Sequence, residues 1–226
     1  MFWTMLQAMY LPTQFEGDRM QAASLIHHHP FASLISVDDT GLPYITHLPL
    51  HLELGIEGCA EQSPFSLLGH VARGNPHWRY LQARPQAVLT FLGPHAYLSP
   101  KVYPYMARVP TWNYLAVHCT VQATLIEEPA AKDRLLKKLI GDHEPPYAEQ
   151  WRGMAEGFAQ KMLAGIVAFE LTVTGLQCKL KLNQHRPEAY AAMQAVYARG
   201  SENEKALALW MERLSMDAVI QTRQEN

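Results

Sequence analysis

Cysteine is scarce and scattered, with only Cys59, Cys119 and Cys178 in 226 residues. No CxxC pair exists to build a zinc site or a redox dithiol, and an odd, dispersed set makes no disulfide framework. The thiols read as small buried residues in a protein of the reducing cytoplasm. An excess of one charge is missing too. The formal net charge is -2, which gives no general pull toward nucleic acid or anionic membranes. No apolar run reaches the roughly 18 residues of a membrane-spanning helix. The apolar start, Met1 to Leu6, lacks the basic residues and cleavage site of a signal peptide. Also absent are G-x-S-x-G, a P-loop, G-x-G-x-x-G and HExxH, so hydrolase, NTPase, Rossmann and zinc-protease readings have no motif behind them.

What is present is a globular composition, 48% hydrophobic and 18% charged, able to fill a full core. Residues 31–38 read as a strand, followed by a turn at Asp39-Thr40-Gly41. Pro43 to Leu54 alternates apolar and polar residues as a half-buried strand, in which Pro49 marks an edge, a bulge or a place where something replaces the ladder. Further strands are expected at 66–71, 87–92, 95–99, 114–127 and 165–174. Helices are expected at 19–28, 76–84 and 129–140, the last with Lys132, Arg134, Lys137 and Lys138 outward. A weaker helical stretch covers 146–163, and a final pair covers 187–198 and 202–214, parted by Gly200-Ser201. Many mostly antiparallel strands with short connections favour a barrel over a doubly wound sheet. The fold class is therefore mainly β with helices (α+β).

Three segments carry candidate chemistry. Val109-Pro110-Thr111-Trp112-Asn113-Tyr114 packs an indole, a phenol, a hydroxyl and a carboxamide into the opening of a strand. That mixture suits a flat, polar, aromatic ligand needing a stacking surface and a few fixed hydrogen bonds. In His70-Val71-Ala72-Arg73-Gly74-Asn75-Pro76 a strand ends, Asn75 is placed as an N-cap and Pro76 as the first helical residue. A helix N-terminus beside a guanidinium suits a phosphate; a plain helix cap with a solvated Arg73 explains the same residues. Tyr44 to Leu50 sets Thr46 and His47 on opposite strand faces, either as a ligand-facing backbone or as an ordinary edge strand. A fourth run, Lys179 to Pro187, is a second anion-contacting loop or a basic surface turn. Of the eleven histidines, His27-His28-His29 and Asp142-His143-Glu144 lack metal-ligand spacing, so no metal site is assigned.

Together these residues resemble one family, the PaiB-type FMN-binding proteins also called negative transcriptional regulators, related to split-barrel flavin reductases and pyridoxamine-phosphate oxidases. The matching residues are Met9-Tyr10-Leu11-Pro12 with Phe15, His29-Pro30-Phe31, Thr46 to Leu50, Gly69 to Trp78, Tyr97 to Pro100, Val109 to Tyr114, and Lys181-Leu182 with Gln184 and Arg186. They run in order through most of the chain. Two departures stand out: Lys101-Val102 precede Tyr103 where the family carries an aromatic, and Asn183 and His185 replace the Ser and Asn of its Lys-Leu-Ser-Gln-Asn-Arg motif.

The resemblance implies an FMN-binding split β-barrel domain over 9–186, a variable extension over 1–8, and a helical tail over 187–226 packed on the same domain. It implies a homodimer with FMN near the interface. Arg73 and the amides at Asn75 would take the phosphate, with Ser99 or Lys181 as helpers. Thr46, His47 and Leu48 would line the ring system, Trp112 and Asn113 would close the pocket, and Thr111 belongs to the same cofactor-binding set. His70, Ala72, Gln184 and Arg186 complete the expected cofactor-binding set. No catalytic residue is assigned, although His47 and His70 are candidate acid–base groups because imidazole titrates near neutrality. The expected function is that of a transcriptional regulator or a flavin-dependent oxidoreductase of a small substrate. Haem binding or degradation on the same fold is one alternative, and an FMN-free regulatory protein with a protein partner another. Direct DNA binding and membrane association are not expected.

Overall fold

The computed structural model describes residues 9–54, 65–105 and 108–214; the expected extension over 1–8 and Cys59 lie outside them. In chain order the elements are a 3-10 turn Thr13–Phe15, β1 Glu16–Gly17, α1 Arg19–His28, β2 Phe31–Val37, β3 Pro43–Pro49, β4 His51–Glu53, β5 Ser66–Ala72, α2 His77–Ala83, β6 Gln86–Leu98 and a 3-10 turn Pro100–Val102. They continue with β7 Thr111–Ile126, α3 Pro129–His143, α4 Tyr147–Arg152, α5 Glu156–Ala164, β8 Ile166–Lys181, a 3-10 turn Pro187–Ala189, α6 Tyr190–Tyr197 and α7 Glu202–Arg213. The strands follow the order β3-β2-β6-β7-β8-β5-β4, and β1 pairs with β8. By contacts the described chain divides into two compact units. Among the described residues the first holds Ile26–Phe91 and His118–Leu176, the second Met9–Leu25, Leu92–Val117 and 177–214.

In the first unit, the β2–β3 hairpin is closed by Asp38, whose Oδ1 accepts from the Thr40 and Leu42 amides at 2.8 and 3.0 Å. Gly41 follows at φ +87°, a conformation that side chains with a Cβ resist. The run from Pro43 to Leu54 is two strands rather than one. Pro49 has no amide to give, and the Leu50 amide bonds Pro30 O at 3.0 Å. Before this break the chain pairs with β2, and after it β4 pairs with β5. Strand β5 is covered on both faces. Leu68 packs with Leu135, Leu139 and Ala168 beneath α3. On the other side Gly69 lies so close to Leu50 that a Cβ would come within 2.5 Å of Leu50 Cδ2.

In the second unit, α1 starts on a reciprocal cap, the Gln21 amide to Asp18 Oδ1 and the Asp18 amide to Gln21 Oε1. Helices α6 and α7 form a hairpin whose turn at Gly200-Ser201 carries a full capping box with Glu204. Gln194 ties the two helices through Glu212 at 2.8 Å. Met193, Tyr197, Leu207, Trp210 and Met211 are buried in this unit.

Several expectations shift. Strands 87–92 and 95–99 are one strand, β6. Strand β8 does not stop near Thr174 but continues to Lys181, so Lys179 and Lys181 belong to a strand and not to a surface loop. Lys179 is buried, donates to Tyr10 O at 2.7 Å and sits over the Tyr10 and Tyr114 rings. On α3, Lys132 is buried rather than outward, Lys137 pairs with Asp133 and Lys138 with Glu53. Helix α2 starts one residue later than expected, with Pro76 in the N-cap position. The thiols of Cys119 and Cys178 are buried; burial pushes Cys178 up to about 12, which keeps it protonated and unreactive.

Candidate functional site

In the first unit, strand periodicity decides which groups face inward. Thr46 pairs with Leu34, and both lie on the inner side; His47 pairs with Ser33 on the outer side. Ile45 shares the outer side and is 52% exposed, so the inward polar residue of this strand is Thr46. A hydrogen-bonded cluster forms around its hydroxyl. Asn75 Nδ2 donates to Thr46 Oγ1 at 3.1 Å, and His77 Nδ1 lies 2.7 Å from the same oxygen. Asn75 Oδ1 accepts the His77 amide at 3.0 Å and the Tyr44 hydroxyl at 3.4 Å. The Tyr44 ring meets His77 edge-on. His77 is fully buried, its Nε2 has no partner, and burial lowers its pKa to about 4. It is therefore a neutral imidazole at physiological pH.

Arg73 is held rather than free. Its amide bonds Gly165 O at 2.8 Å, its Nε donates to Ala164 O at 2.8 Å, and its carbonyl accepts from the Trp78 indole at 3.0 Å. Its Nη2 also donates to Ile166 O at 3.4 Å, so the guanidinium is clamped to the junction of α5 and β8 although the residue as a whole is exposed. Ala72 ends β5 opposite Ile166 and is exposed. His70 is half-buried on β5, its Nδ1 is buried without a partner, and burial lowers its pKa. Leu48 is core. His47 is exposed, with Nδ1 3.0 Å from Ser33 Oγ and the Phe31 ring stacked 6.4 Å away. Of the residues expected in this unit, the structure joins Thr46 directly to Asn75.

The second unit holds the remaining expected residues. The run 109–114 splits by strand alternation. Trp112 points out, 53% exposed, beside His95 and Tyr97 at centroid distances of 6.1 and 6.3 Å. Asn113 points in, fully buried, with Nδ2 3.1 Å from Tyr197 Oη. Thr111 Oγ1 accepts from Lys181 Nζ at 2.7 Å. Gln184 turns back on its own loop, accepting the Leu182 amide at 2.9 Å and donating to Leu180 O. Ser99 caps the 3-10 turn through the Lys101 amide at 3.3 Å.

A cleft of about 540 Å³ gathers Thr111, Lys181 and Arg186 with Phe15, Tyr103, Arg108, Val109, Asn183 and His185. The sequence reading missed Arg108 and Tyr103 in this cleft, and His77 in the cluster around Thr46. Arg108 adjoins the 109–114 run, but nothing local marks it as a partner of residues beyond 180. Among the described residues no group of three or more His, Cys, Asp or Glu is placed to hold a metal ion. No helix among them is long and apolar enough to cross a membrane.

Comparison with known proteins gives this geometry a family. A family model described as "Putative FMN-binding domain" matches residues 9–175. Protease synthase and sporulation protein PAI 2 of Bacillus subtilis is 30% identical over 210 residues, which cover 90% of this chain and 97% of the relative. The fold is shared with the flavocytochrome Anf3 from Azotobacter vinelandii, with a TM-score of 0.55 or slightly above for each of two such solved structures: Anf3 at 0.56, 16% identity, and 74% and 68% of the two chains covered. The other, the FAD and heme binding protein from Mycobacterium smegmatis, has a TM-score of 0.55 at 18% identity, with 74% and 72% covered. The mainly antiparallel sheet with helices is thus of the split-barrel class, and the chain belongs to the PaiB-type FMN-binding family.

Proposed function

We propose that the protein binds FMN as a homodimer and serves as a flavin-dependent oxidoreductase of a small substrate or as a redox-linked regulator. The carrying observation is the preorganised polar end of the first unit. Arg73 is fixed by the carbonyl of Ala164, and two residues on, Asn75 is locked to Thr46. A fixed guanidinium suits a phosphate, and an oriented hydroxyl suits the edge of a planar ring. The donor set thus fits a flavin mononucleotide. When bound, the flavin supplies hydride or electron transfer, and the chain supplies binding, orientation and hydrogen bonds. The match to a putative FMN-binding domain supports a flavin, and two proteins of the same fold are a flavocytochrome and an FAD and heme binding protein.

The regulatory side of the proposal is indirect, through redox state or a protein partner. The cations of α3 are engaged with Asp133 and Glu53 rather than arrayed along one face, and duplex recognition needs such an array. The reading takes the protein as cytoplasmic.

Purified protein reconstituted with FMN should show bound-flavin absorbance and quenched flavin fluorescence. Arg73→Met should weaken FMN at least about tenfold, the value of one charge-assisted hydrogen bond, and leave riboflavin binding unchanged. Unquenched fluorescence in excess FMN would sink the cofactor assignment, and an intense Soret band on adding haem would redirect it. Anaerobic NADH or NADPH then separates the two roles, since bleaching marks an enzyme. Sedimentation at micromolar concentration tests the dimer.

A further inference from the structure

The cleft of the second unit concentrates positive charge in a chain whose net charge is -2. Its lining holds Arg108, Lys181 and Arg186 and no carboxylate. Glu188 stands nearby, 3.6 Å from Arg108, and the charge of Arg186 also helps to lower its pKa, so this single carboxylate answers two of the three cations. Arg108 is also held in place, donating to the Tyr105 hydroxyl at 2.7 Å and stacking over the Tyr105 and Tyr103 rings. Lys181 is fixed by Thr111. Arg186 is half-buried, and its side chain makes no hydrogen bond or ion pair within the described residues. Its guanidinium lines the cleft with donors not spent on the protein, so they can take the oxygens of an anion that enters.

The backbone is also committed to this cleft. Asn183 adopts φ +65°, the left-handed region that a non-glycine residue enters at a cost. Its carboxamide makes both of its bonds to the Tyr103 hydroxyl, at 2.9 and 3.2 Å. The strained turn brings Lys181 and Arg186 to the same opening. Burial and the neighbouring Lys179 hold the Lys181 ammonium below the usual lysine range.

We propose that this cleft is a phosphate-monoester site, in which Arg108, Lys181 and Arg186 surround the dianion and Thr111 and Tyr103 border it. Phosphate fits better than a single carboxylate, because three convergent cations match two negative charges and three acceptor oxygens. The volume accommodates more than the phosphoryl group and falls in the about 300–1,000 Å³ range of small-molecule sites. The monoester is the phosphate of a small substrate, because the FMN reading already gives the cofactor's own phosphate to Arg73. The inference stands apart from the FMN reading, since it concerns an anion that the flavin-free protein also binds.

Calorimetric titration of the flavin-free, full-length protein with inorganic phosphate tests it directly. Saturable binding is expected, weakened at least about tenfold by Arg186→Met and by Lys181→Met, with Arg186→Lys retaining part of the affinity. Melting temperatures identify any variant that fails to fold, and the unaltered protein remains decisive alone. Lack of saturable phosphate binding, or binding unchanged in both methionine variants, overturns the proposal. Repeating the titration on flavin-loaded protein separates the sources. If FMN blocks phosphate and riboflavin does not, the site holds the cofactor's phosphate and the assignment to a substrate falls. If phosphate still binds beside FMN, the site serves a phosphorylated substrate. Failure of the FMN reading would instead appear as phosphate binding without any flavin binding.

Discussion

Replacing His77 with asparagine should flatten the dependence of stability on pH between about 6.5 and about 4. The imidazole is fully buried and its folded-state pKa lies at about 4, against 6.5 for the exposed group. Between those values the unfolded chain binds a proton that the folded chain refuses, so stability rises with pH across the window. It is fully present above the unfolded value and is lost as pH falls toward the folded one. The loss amounts to on the order of 3 kcal/mol. His70 and His185 are shifted the same way and add to the slope. The carboxylates with lowered values, Asp38, Asp133, Glu188 and Glu202, start from 3.8 or 4.5 and act at the acid end. The upper part of the window therefore belongs to histidine. Asparagine keeps a donor near the position of Nδ1 for Thr46 but cannot titrate, and its smaller volume against Tyr44 should cost about 1–2 kcal/mol at neutral pH. Urea midpoints at pH about 7, about 6 and about 5 measure both effects. An unchanged slope in the variant would place the acid sensitivity elsewhere.

How much of this was legible in advance follows from the range of each interaction. The β2–β3 hairpin was, because Asp38, Thr40 and Gly41 act within a few residues of one another. So was the α7 cap, where Ser201 and Glu204 are spaced as a capping box requires. The end of β8 was not. The strand was expected to end near Thr174, and the run from Lys179 to be an anion-contacting loop or a basic surface turn. Lys179 stays in the strand because Tyr10 and Tyr114, from distant segments, cover its stem and charge. The two-strand division at Pro49 was half legible, since proline announces a broken ladder but does not name the strand that replaces it.

The candidate site divides in the same way. The residue types around Thr46 were identified, yet His77 was passed over, because its importance comes from contact with a strand on the far side of a long connection. Lys181 and Arg186 were read as one basic loop. Their convergence with Arg108 depends on how residues 103–111 and 181–186 meet, which no local pattern records. Alternation along β7 already implies that Trp112 and Asn113 cannot face the same ligand, and the structure turns that into two separate roles.

Asn113→Leu should therefore act first on stability. The leucine fills a similar volume but leaves the hydroxyl of Tyr197, itself fully buried, without its carboxamide partner. An orphaned buried hydroxyl costs about 1–3 kcal/mol, and burial already pushes this phenol up, so it cannot escape the cost by ionising. Tyr197→Phe should cost less than Asn113→Leu, because the remaining carboxamide keeps a contact of 3.1 Å to Met193 Sδ. The double variant should be more stable than the sum of the two losses predicts, by about 1–2 kcal/mol, since an apolar pair leaves neither group unsatisfied. Denaturation midpoints of the four proteins close this cycle. Flavin fluorescence of the same four, at a temperature where all are folded, discriminates the roles. Anchoring of α6 predicts unequal midpoints with FMN affinity nearly unchanged. A full-stability Asn113→Leu protein that has lost FMN would instead put this carboxamide at the ligand, and Trp112→Leu, which lies on the opposite side of the strand, would then be the variant with little effect on binding.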